Sequence, residues 1–100
     1  LKPHVMSFLE MAMDYSQLNL ELEEVKVAEN SIYSGKKLVE TDIRKDLNLI
    51  IIAIKKSDGQ MVFNPGPETK IESQDLLIAM GEKRYLQILD RKAGNLPYYS

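Results

Sequence analysis

The chain has 100 residues, of which 44% are apolar and 28% are charged, a balance that is ordinary for one globular domain. A chain of this length buries only about 60–65% of its unfolded surface, so a partner would relieve a narrow stability margin. The net charge of −2 offers no electrostatic footprint for nucleic acid, which we do not expect as a partner. Cysteine is absent and His4 is the one histidine, which excludes disulfides and thiolate zinc sites and disfavours histidine-dependent catalysis.

The sequence has no pattern typical of a targeting or membrane-spanning segment. The longest apolar run, from Leu49 to Ile54, has about a third of the length that a membrane span requires. Residues 1–15 lack the features of a signal or transit peptide. Because the chain begins with Leu1 and enters a helical pattern at once, we expect a segment cut from a longer protein.

The first predicted element is a helix that begins at Pro3, a residue suited to the first helical turn, and ends at Tyr15. Its apolar positions are Val5, Met6, Phe8, Leu9, Met11, Ala12, Met13 and Tyr15. A helix on a single core needs about three apolar positions in seven, so this helix has apolar side chains for two surfaces. A central helix of one domain is the alternative. We favour contact with a second domain or subunit, and we interpret residues 1–16 as a linker and dimerisation helix.

Two strands and an interrupted helix are predicted next. Alternation of apolar and polar residues predicts a strand over 18–27, and its change of phase predicts a β-bulge near residues 23–24. The near-helical apolar spacing over 34–47 predicts one broken helix, or two short ones divided near Thr41. The β-branched run over 49–54 predicts a central strand that is buried on both faces.

Turn residues organise the second half of the chain. Asp58-Gly59 predicts an antiparallel hairpin between strands 49–56 and 60–64. Asn64-Pro65-Gly66-Pro67 ends the second strand, because proline cannot donate a hydrogen bond to the ladder. The remaining predicted elements are a short edge strand over 69–71, an apolar strand over 76–80 that Gly81 closes, a helix from Glu82 to Gly94, and a flexible tail over 94–100.

The side chains offer little for catalysis. The serines have no suitable histidine partner and lie in no nucleophile-elbow pattern, which argues against a hydrolase. Gly35-Lys36 resembles the end of a phosphate-binding loop, but Asn30 stands where that motif requires glycine. The acidic cluster over 21–24 offers oxygen ligands for Ca²⁺ without the spacing of an EF-hand, and a solvated strand face is the simpler interpretation. We therefore do not expect an enzyme.

Several segments together, in order and spacing, resemble the TrkA-C domain, the C-terminal half of RCK regulators of potassium channels and transporters. The segments are LEEVKV at 22–27, SGKKL at 34–38, DIR at 42–44, IIIAIKK at 50–56 followed by Asp58-Gly59, NP at 64–65, and DLLIAMG at 75–81. The resemblance covers residues 22 to 90. Gln74 departs from it, since the family usually has glycine before the aspartate, and this affects the geometry of that turn.

The resemblance implies an α+β fold over 17–93, with a mainly antiparallel sheet of four to five strands, flanking helices and no catalytic residues. It also implies a cytoplasmic homodimer that adjoins an RCK N-terminal domain and a channel or transporter subunit for potassium ion. Some members bind cyclic di-AMP in the dimer cleft, and the matching positions here are Leu38, Val39, Arg44, Leu49, Ile50 and Pro65. Other members hold Ca²⁺ partly through an acid of the first strand, where Glu24 stands here.

Simpler structural roles are open for the same residues. Arg44 follows Glu40 by one helical turn, a spacing that predicts a surface ion pair. Leu38, Val39 and Ile50 are of a type that most often belongs to a core or a dimer interface. Asn48 is interpreted as a turn that leads into the central strand.

Taken together, these features indicate a ligand-sensing and dimerisation domain that regulates potassium transport through a channel or a Trk/Ktr-type uptake system. The alternative is a regulatory module of another membrane carrier, such as a cation/proton antiporter or an anion permease. Cyclic di-AMP and Ca²⁺ are the ligands that the resemblance implies.

Overall fold

The computed structural model describes residues 2–13 and 19–95. Its elements are α1 (Pro3–Met13), β1 (Leu20–Lys26), a 3-10 helix (Leu38–Thr41), α2 (Ile43–Leu47), β2 (Ile50–Lys55), β3 (Met61–Phe63), β4 (Leu76–Glu82) and α3 (Lys83–Lys92). These strands form one antiparallel sheet in the order β1-β4-β2-β3. The predicted α+β class, with an antiparallel sheet and flanking helices, is confirmed. Tyr15, the predicted end of the first helix, lies outside the described residues.

Two predicted turns form where their residue chemistry is strong. At the β2–β3 hairpin Gly59 has φ of 92°, and the backbone N–H of Gln60 donates to Oδ1 of Asp58 at 2.9 Å. The broken helix is also present, because Asp42 adopts a left-handed φ of 55° between the 3-10 helix and α2. Local turn chemistry therefore fixes the hairpin and the helix break.

The predicted bulge near residues 23–24 is wrong. β1 pairs with β4 in one continuous register, from Leu20 opposite Glu82 to Lys26 opposite Leu76. The change of phase arises because β1 carries apolar residues on both faces, first Leu22 on one and then Val25 on the other. The irregularity of the sheet lies in β2, where the register with β4 shifts between residues 51 and 53.

The prediction that residues 49–54 are buried on both faces is also wrong. β2 does lie inside the sheet, between β4 and β3, and its residues Ala53 and Ile54 are buried. Ile50, however, is 55% exposed. Ile50 lies on the face of the sheet that α2 and α3 do not cover, so this part of the unbroken apolar run is left on an open surface.

Three element boundaries differ from the sequence predictions. β4 continues through Gly81 to Glu82 instead of closing at the glycine. The edge strand predicted over 69–71 is reduced to an isolated bridge between Lys70 and Lys37. Asn95 donates its side-chain amide to the carbonyl oxygen of Lys26 at 2.8 Å and to Asp90 at 2.9 Å, so it is tied to the sheet. Residues 96–100 lie outside the described residues.

The inner face of the sheet, defined as the face that packs against α2 and α3, forms the core. Its buried strand residues are Val25, Ile54, Leu77 and Ala79, and the helices add Ile43, Leu47, Leu86 and Leu89. In α3 the apolar residues recur at helical spacing, which places them on the side that faces the sheet. This core holds α2, and with it Arg44, against the sheet.

A buried ion pair joins the end of β2 to the turn before β4. Asp75 is 1% exposed, and its Oδ2 accepts hydrogen bonds from Nζ of Lys56 at 2.5 Å and from the backbone N–H of Glu72 at 2.8 Å. Nζ of Lys56 also lies 3.0 Å from Oε1 of Glu72. The aspartate therefore fixes the turn over 72–75 even though Gln74, at φ of 75°, replaces the usual glycine.

Candidate functional site

An open cleft of about 900 Å³ lies between the segment 38–45, the start of β2 and the loop after β3. Its lining residues are Leu38, Val39, Asp42, Ile43, Arg44, Lys45, Asn48, Leu49, Ile50, Ile51, Asn64, Pro65 and Pro67. Ligand-binding clefts of proteins have volumes of about 300–1,000 Å³ and mostly apolar walls, so the cleft has the size and character of a small-molecule site.

Backbone hydrogen bonds join the two walls of the cleft. The N–H of Leu38 donates to the carbonyl oxygen of Thr69 at 2.8 Å, and the N–H of Val39 donates to that of Pro67 at 2.9 Å. Because prolines 65 and 67 have fixed φ angles, the loop that carries them is also stiff. The apolar side chains of the 3-10 helix are therefore held opposite Pro65.

The bend between the 3-10 helix and α2 directs Arg44 to the cleft. The hydroxyl of Thr41 donates to the carbonyl oxygen of Leu38 at 2.7 Å and accepts the N–H of Ile43 at 3.3 Å. Left-handed Asp42 then changes the chain direction, and α2 begins. Arg44 is the second residue of α2 and is exposed, while Ile43 before it is buried in the core.

The predicted ion pair between Glu40 and Arg44 is replaced by a helix cap. Oε1 of Glu40 accepts the backbone N–H of Lys37 at 2.7 Å, at the start of the 3-10 helix. Across the described ranges 2–13 and 19–95, no carboxylate oxygen lies within 4.0 Å of the Arg44 guanidinium. Its charge is therefore available to a ligand anion.

The walls of the cleft combine apolar surface with a cationic rim. Val39 and Ile50 are more than half exposed, and Leu49, at 1% exposure, forms the floor. Arg44 and Lys45 lie on the rim with Asp42, which gives the rim an excess of one positive charge at neutral pH. Such a site suits a ligand with anionic groups and flat apolar rings.

All six residues that the sequence singled out for a nucleotide lie on this one cleft, namely Leu38, Val39, Arg44, Leu49, Ile50 and Pro65. The structure adds Asn48 and Asn64, which both have left-handed backbones at φ of 53° and 51°. Asn48 ends α2, where its N–H donates to the carbonyl oxygen of Arg44 at 3.0 Å. The sequence assigned Asn64 only to the turn that also carries Pro65, and the fold shows that both residues line the cleft.

Glu24, the residue considered for Ca²⁺, lies elsewhere. It is exposed on β1 and pairs with Ile78 of β4. In the part of the chain that the structure describes, no group of three or more acids and histidines is arranged to hold a metal ion. Ca²⁺ takes six to eight oxygen ligands, so the Glu24 carboxylate alone does not make a site.

The outer face of the sheet, opposite the helices, is apolar and uncovered. Its exposed side chains include Leu22, Ile50, Met61 and Phe63, the last at 75% exposure.

α1 also presents exposed apolar side chains, which are Val5, Met6, Phe8, Leu9 and Met11. No helix within residues 2–13 and 19–95 is long and apolar enough to span a bilayer. Exposed apolar patches of this kind usually mark contacts with other proteins.

Comparisons with known proteins agree with this geometry. The family model of the TrkA-C domain matches residues 22–94. The K(+)/H(+) antiporter subunit KhtT of Bacillus subtilis strain 168 is 35% identical over 88 residues, which cover 88% of this chain and 51% of KhtT. The chain thus spans about half the length of this relative.

Two solved structures share the fold and contain a cyclic dinucleotide. The RCK C domain of the potassium transport protein KtrA, in complex with cyclic di-AMP, has a TM-score of 0.70 and 27% identity, covering 88% of this chain and 94% of that one. The RCK_C domain dimer of S. agalactiae BusR with cyclic di-AMP has a TM-score of 0.67 and 25% identity, covering 75% of this chain and 91% of that one.

BusR is also known in complex with its promoter DNA. The fold therefore occurs in a protein that binds DNA, so the expectation of no nucleic-acid partner gains no support from these relatives.

Proposed function

We propose that this chain, which belongs to the TrkA-C domain family, forms a homodimer that senses cyclic di-AMP and regulates potassium transport through a membrane protein. The observation that carries the proposal is the cleft, where Arg44 and the apolar residues at the family's nucleotide-binding positions lie together. The domain acts by binding and conformational change, in keeping with its regulatory relatives, and we assign it no catalytic step.

Two relatives support potassium transport as the regulated process. KhtT is a K(+)/H(+) antiporter subunit, and KtrA is a potassium transport protein. KhtT favours the antiporter, which the sequence analysis kept as the alternative to a channel or a Trk/Ktr-type system. We place the domain on the cytoplasmic side of the membrane, attached to the part of the protein that KhtT has and this chain does not span.

The chemistry of the cleft suits each half of a cyclic dinucleotide. A guanidinium fork pairs with phosphate oxygens through two parallel, charge-assisted hydrogen bonds, which is the role we assign to Arg44. Exposed Val39 and Ile50 offer apolar contact to an adenine ring, and Pro65 offers a rigid flat surface on the opposite wall. Each chain thus recognises one phosphate and one base.

A symmetric ligand needs two such half-sites, and the outer face provides a way to bring them together. Ile50 belongs both to the cleft and to the outer face. Two chains that pair through their outer faces around a two-fold axis therefore also bring their clefts side by side. The BusR domain is a dimer in complex with cyclic di-AMP, which supports a dimer as the form that binds the ligand.

Isothermal titration calorimetry with cyclic di-AMP tests the proposal. A hydrogen bond to a charged group contributes about 1.5–3 kcal/mol, so Arg44→Ala should weaken binding by at least about tenfold. Arg91→Ala is the matched control, because Arg91 is an exposed arginine on α3 that does not line the cleft. Absence of binding by the natural chain, or equal affinity of Arg44→Ala and Arg91→Ala, would overturn the proposed site.

The consequence for transport is testable in the full-length protein. Together with its membrane partner in vesicles, the natural protein should change potassium flux when cyclic di-AMP is added, and Arg44→Ala should lose that response. Ca²⁺ serves as a second titrant in the same assay, since the assignment of Glu24 to a metal stays a prediction.

A further inference from the structure

Gly81 is a buried glycine inside β4, on the inner face of the sheet. Glycine weakens a strand interior, so its presence there has a local cause. Gly81 does not have the left-handed φ that would require glycine, unlike Gly59 and Gly94. Since the backbone conformation does not require glycine here, the reason for Gly81 is the limited space beside it.

The space beside Gly81 is filled by Leu49. A Cβ atom built at position 81 would overlap Cδ2 of Leu49, far inside van der Waals contact. The next atoms, the carbonyl oxygen of Asn48 and Cα of Leu49, would lie at 3.6 Å, which is ordinary contact. A side chain at position 81 would thus displace the Leu49 side chain and leave the backbone in place.

Two cavities lie near this contact, and Leu49 borders one of them. The smaller, of about 260 Å³, is lined by Gly81 and Asn48 but not by Leu49. Leu49 is 1% exposed and packs within the core cluster, whose close packing leaves no room for a moved isobutyl group. The volume that Leu49 borders is the cleft, between Arg44 and Ile50. Its terminal methyl groups would therefore enter the space that we assign to the ligand.

We infer that Gly81 is a positioning residue for the ligand cleft: by lacking a side chain, it lets Leu49 lie flat as the cleft floor. This inference rests on the proposed function of the cleft. On this inference β4 controls the depth of the binding site, although no residue of β4 lines the cleft.

The test uses Gly81→Ala, Leu49→Ala, the double variant, and Gly66→Ala as control, each measured by calorimetry with cyclic di-AMP. Gly66 neighbours Pro65 of the cleft, but nothing lies within 4 Å of a Cβ built there. The methyl group added by Gly81→Ala overpacks the site, so this variant should bind cyclic di-AMP about tenfold more weakly than the natural chain. Gly66→Ala should bind like the natural chain, and the double variant should bind within about threefold of Leu49→Ala, because the overlapping atom is gone.

The comparison between the double variant and Leu49→Ala separates positioning from general damage. If adding Gly81→Ala weakens binding as much in the Leu49→Ala background as in the natural one, the inference is wrong. Natural affinity of Gly81→Ala would also overturn it. If Gly81→Ala alone fails to fold, the same comparison decides, and failure of the double variant to fold contradicts the inference.

A ligand-free measurement keeps this inference separate from the ligand assignment. In methyl NMR spectra without ligand, Gly81→Ala should shift the resonances of Ile50 and Ile51, which border the cleft beside Leu49. The double variant should show those resonances where Leu49→Ala has them. If the natural chain does not bind cyclic di-AMP but this pattern holds, the ligand proposal fails and the role of Gly81 stands. Unchanged spectra in Gly81→Ala would refute the role.

Discussion

The two faces of the sheet use similar residues and have opposite environments. On the inner face Ile54, Leu77 and Ala79 are fully or almost fully buried under the helices. On the outer face Ile50 of β2 and Phe63 of the neighbouring β3 are more than half exposed. Burial therefore follows from which face has a second layer, and apolar composition alone does not determine it.

The comparison shows that the chain encodes two apolar surfaces with different purposes. The inner surface is completed within one chain and holds α2 against the sheet. The outer surface borders the cleft at Ile50 and is completed, in our proposal, by a second chain. Changes on the inner face should thus act on folding, and changes on the outer face should act on association.

The largest effect is expected from the buried ion pair. Asp75→Asn removes the carboxylate charge next to Lys56, whose ammonium then lacks its buried partner. Breaking a buried pair costs about 3–5 kcal/mol, so the free energy of unfolding in urea should fall by roughly that amount. Glu72→Gln, at the exposed partner of the same lysine, should cost less than about 1 kcal/mol. Equal losses for the two variants would show that burial of the pair is unimportant.

A pair of truncations compares the faces directly. Leu77→Ala empties a fully buried inner position and should lower the free energy of unfolding by about 2–5 kcal/mol. Phe63→Ala, at 75% exposure, should change monomer stability by less than about 0.5 kcal/mol but weaken dimerisation. Urea unfolding of dilute protein and sedimentation at micromolar concentration measure the two effects. A large stability loss in the Phe63→Ala monomer would contradict the comparison.

Alkaline pH should act on the inner core. Burial, and secondly the Asp46 carboxylate, raise the pKa of Tyr33 to about 12. Tyrosine in the unfolded chain ionises near pH 10, so this contribution is complete below about pH 10 and is lost between about pH 10 and 12. Two pKa units correspond to about 2–3 kcal/mol, which Tyr33→Phe should remove from the pH dependence of unfolding. An unchanged profile in that variant would contradict the assignment.

Lys56 has the same sign of pH dependence. Burial lowers the pKa of Lys56, but its hydrogen bonds to Asp75 and Glu72 outweigh this and raise it. Its contribution is complete below the pKa of an unfolded lysine and is lost as the pH rises through the folded value. Both contributions are therefore complete and constant near neutral pH, and the free energy of unfolding should depend on these two groups only under alkaline conditions.

A smaller effect is expected from α1. Phe8 is one of its exposed apolar side chains, and Phe8→Ser should raise the dissociation constant of the dimer by about tenfold if α1 belongs to the interface. Ser7→Ala, at the exposed neighbouring position, is the control and should leave it unchanged. Equal sedimentation of both variants and the natural chain would remove α1 from the interface.

Sequence reasoning succeeded where local chemistry decides the structure. The Asp58-Gly59 turn, the helix break near Thr41 and the apolar spacing of α3 all follow from neighbouring residues. The bulge was misplaced because a phase change looks the same whether the chain shifts register or simply carries apolar residues on both faces. Ile50 is exposed because α2 and α3 do not cover its face of the sheet, and the local sequence pattern does not show which face the helices cover.

The cleft was predictable only in part. Its six expected residues came from a family resemblance, and the fold brings them together from three separate segments. The role of Glu40 as a cap was missed because the spacing to Arg44 equally predicts an ion pair. Asn48 and Gly81 were missed as site residues because their contributions depend on contacts between α2, β2 and β4.

The stoichiometry of cyclic di-AMP binding tests the central claim most directly. If the outer faces pair and join two half-sites around a two-fold axis, calorimetry of the natural chain should give one ligand for every two chains. The bound species should sediment as a dimer. One ligand per chain, or saturable binding by a monomer, would contradict the account, because either result would mean that the outer face has no part in the site.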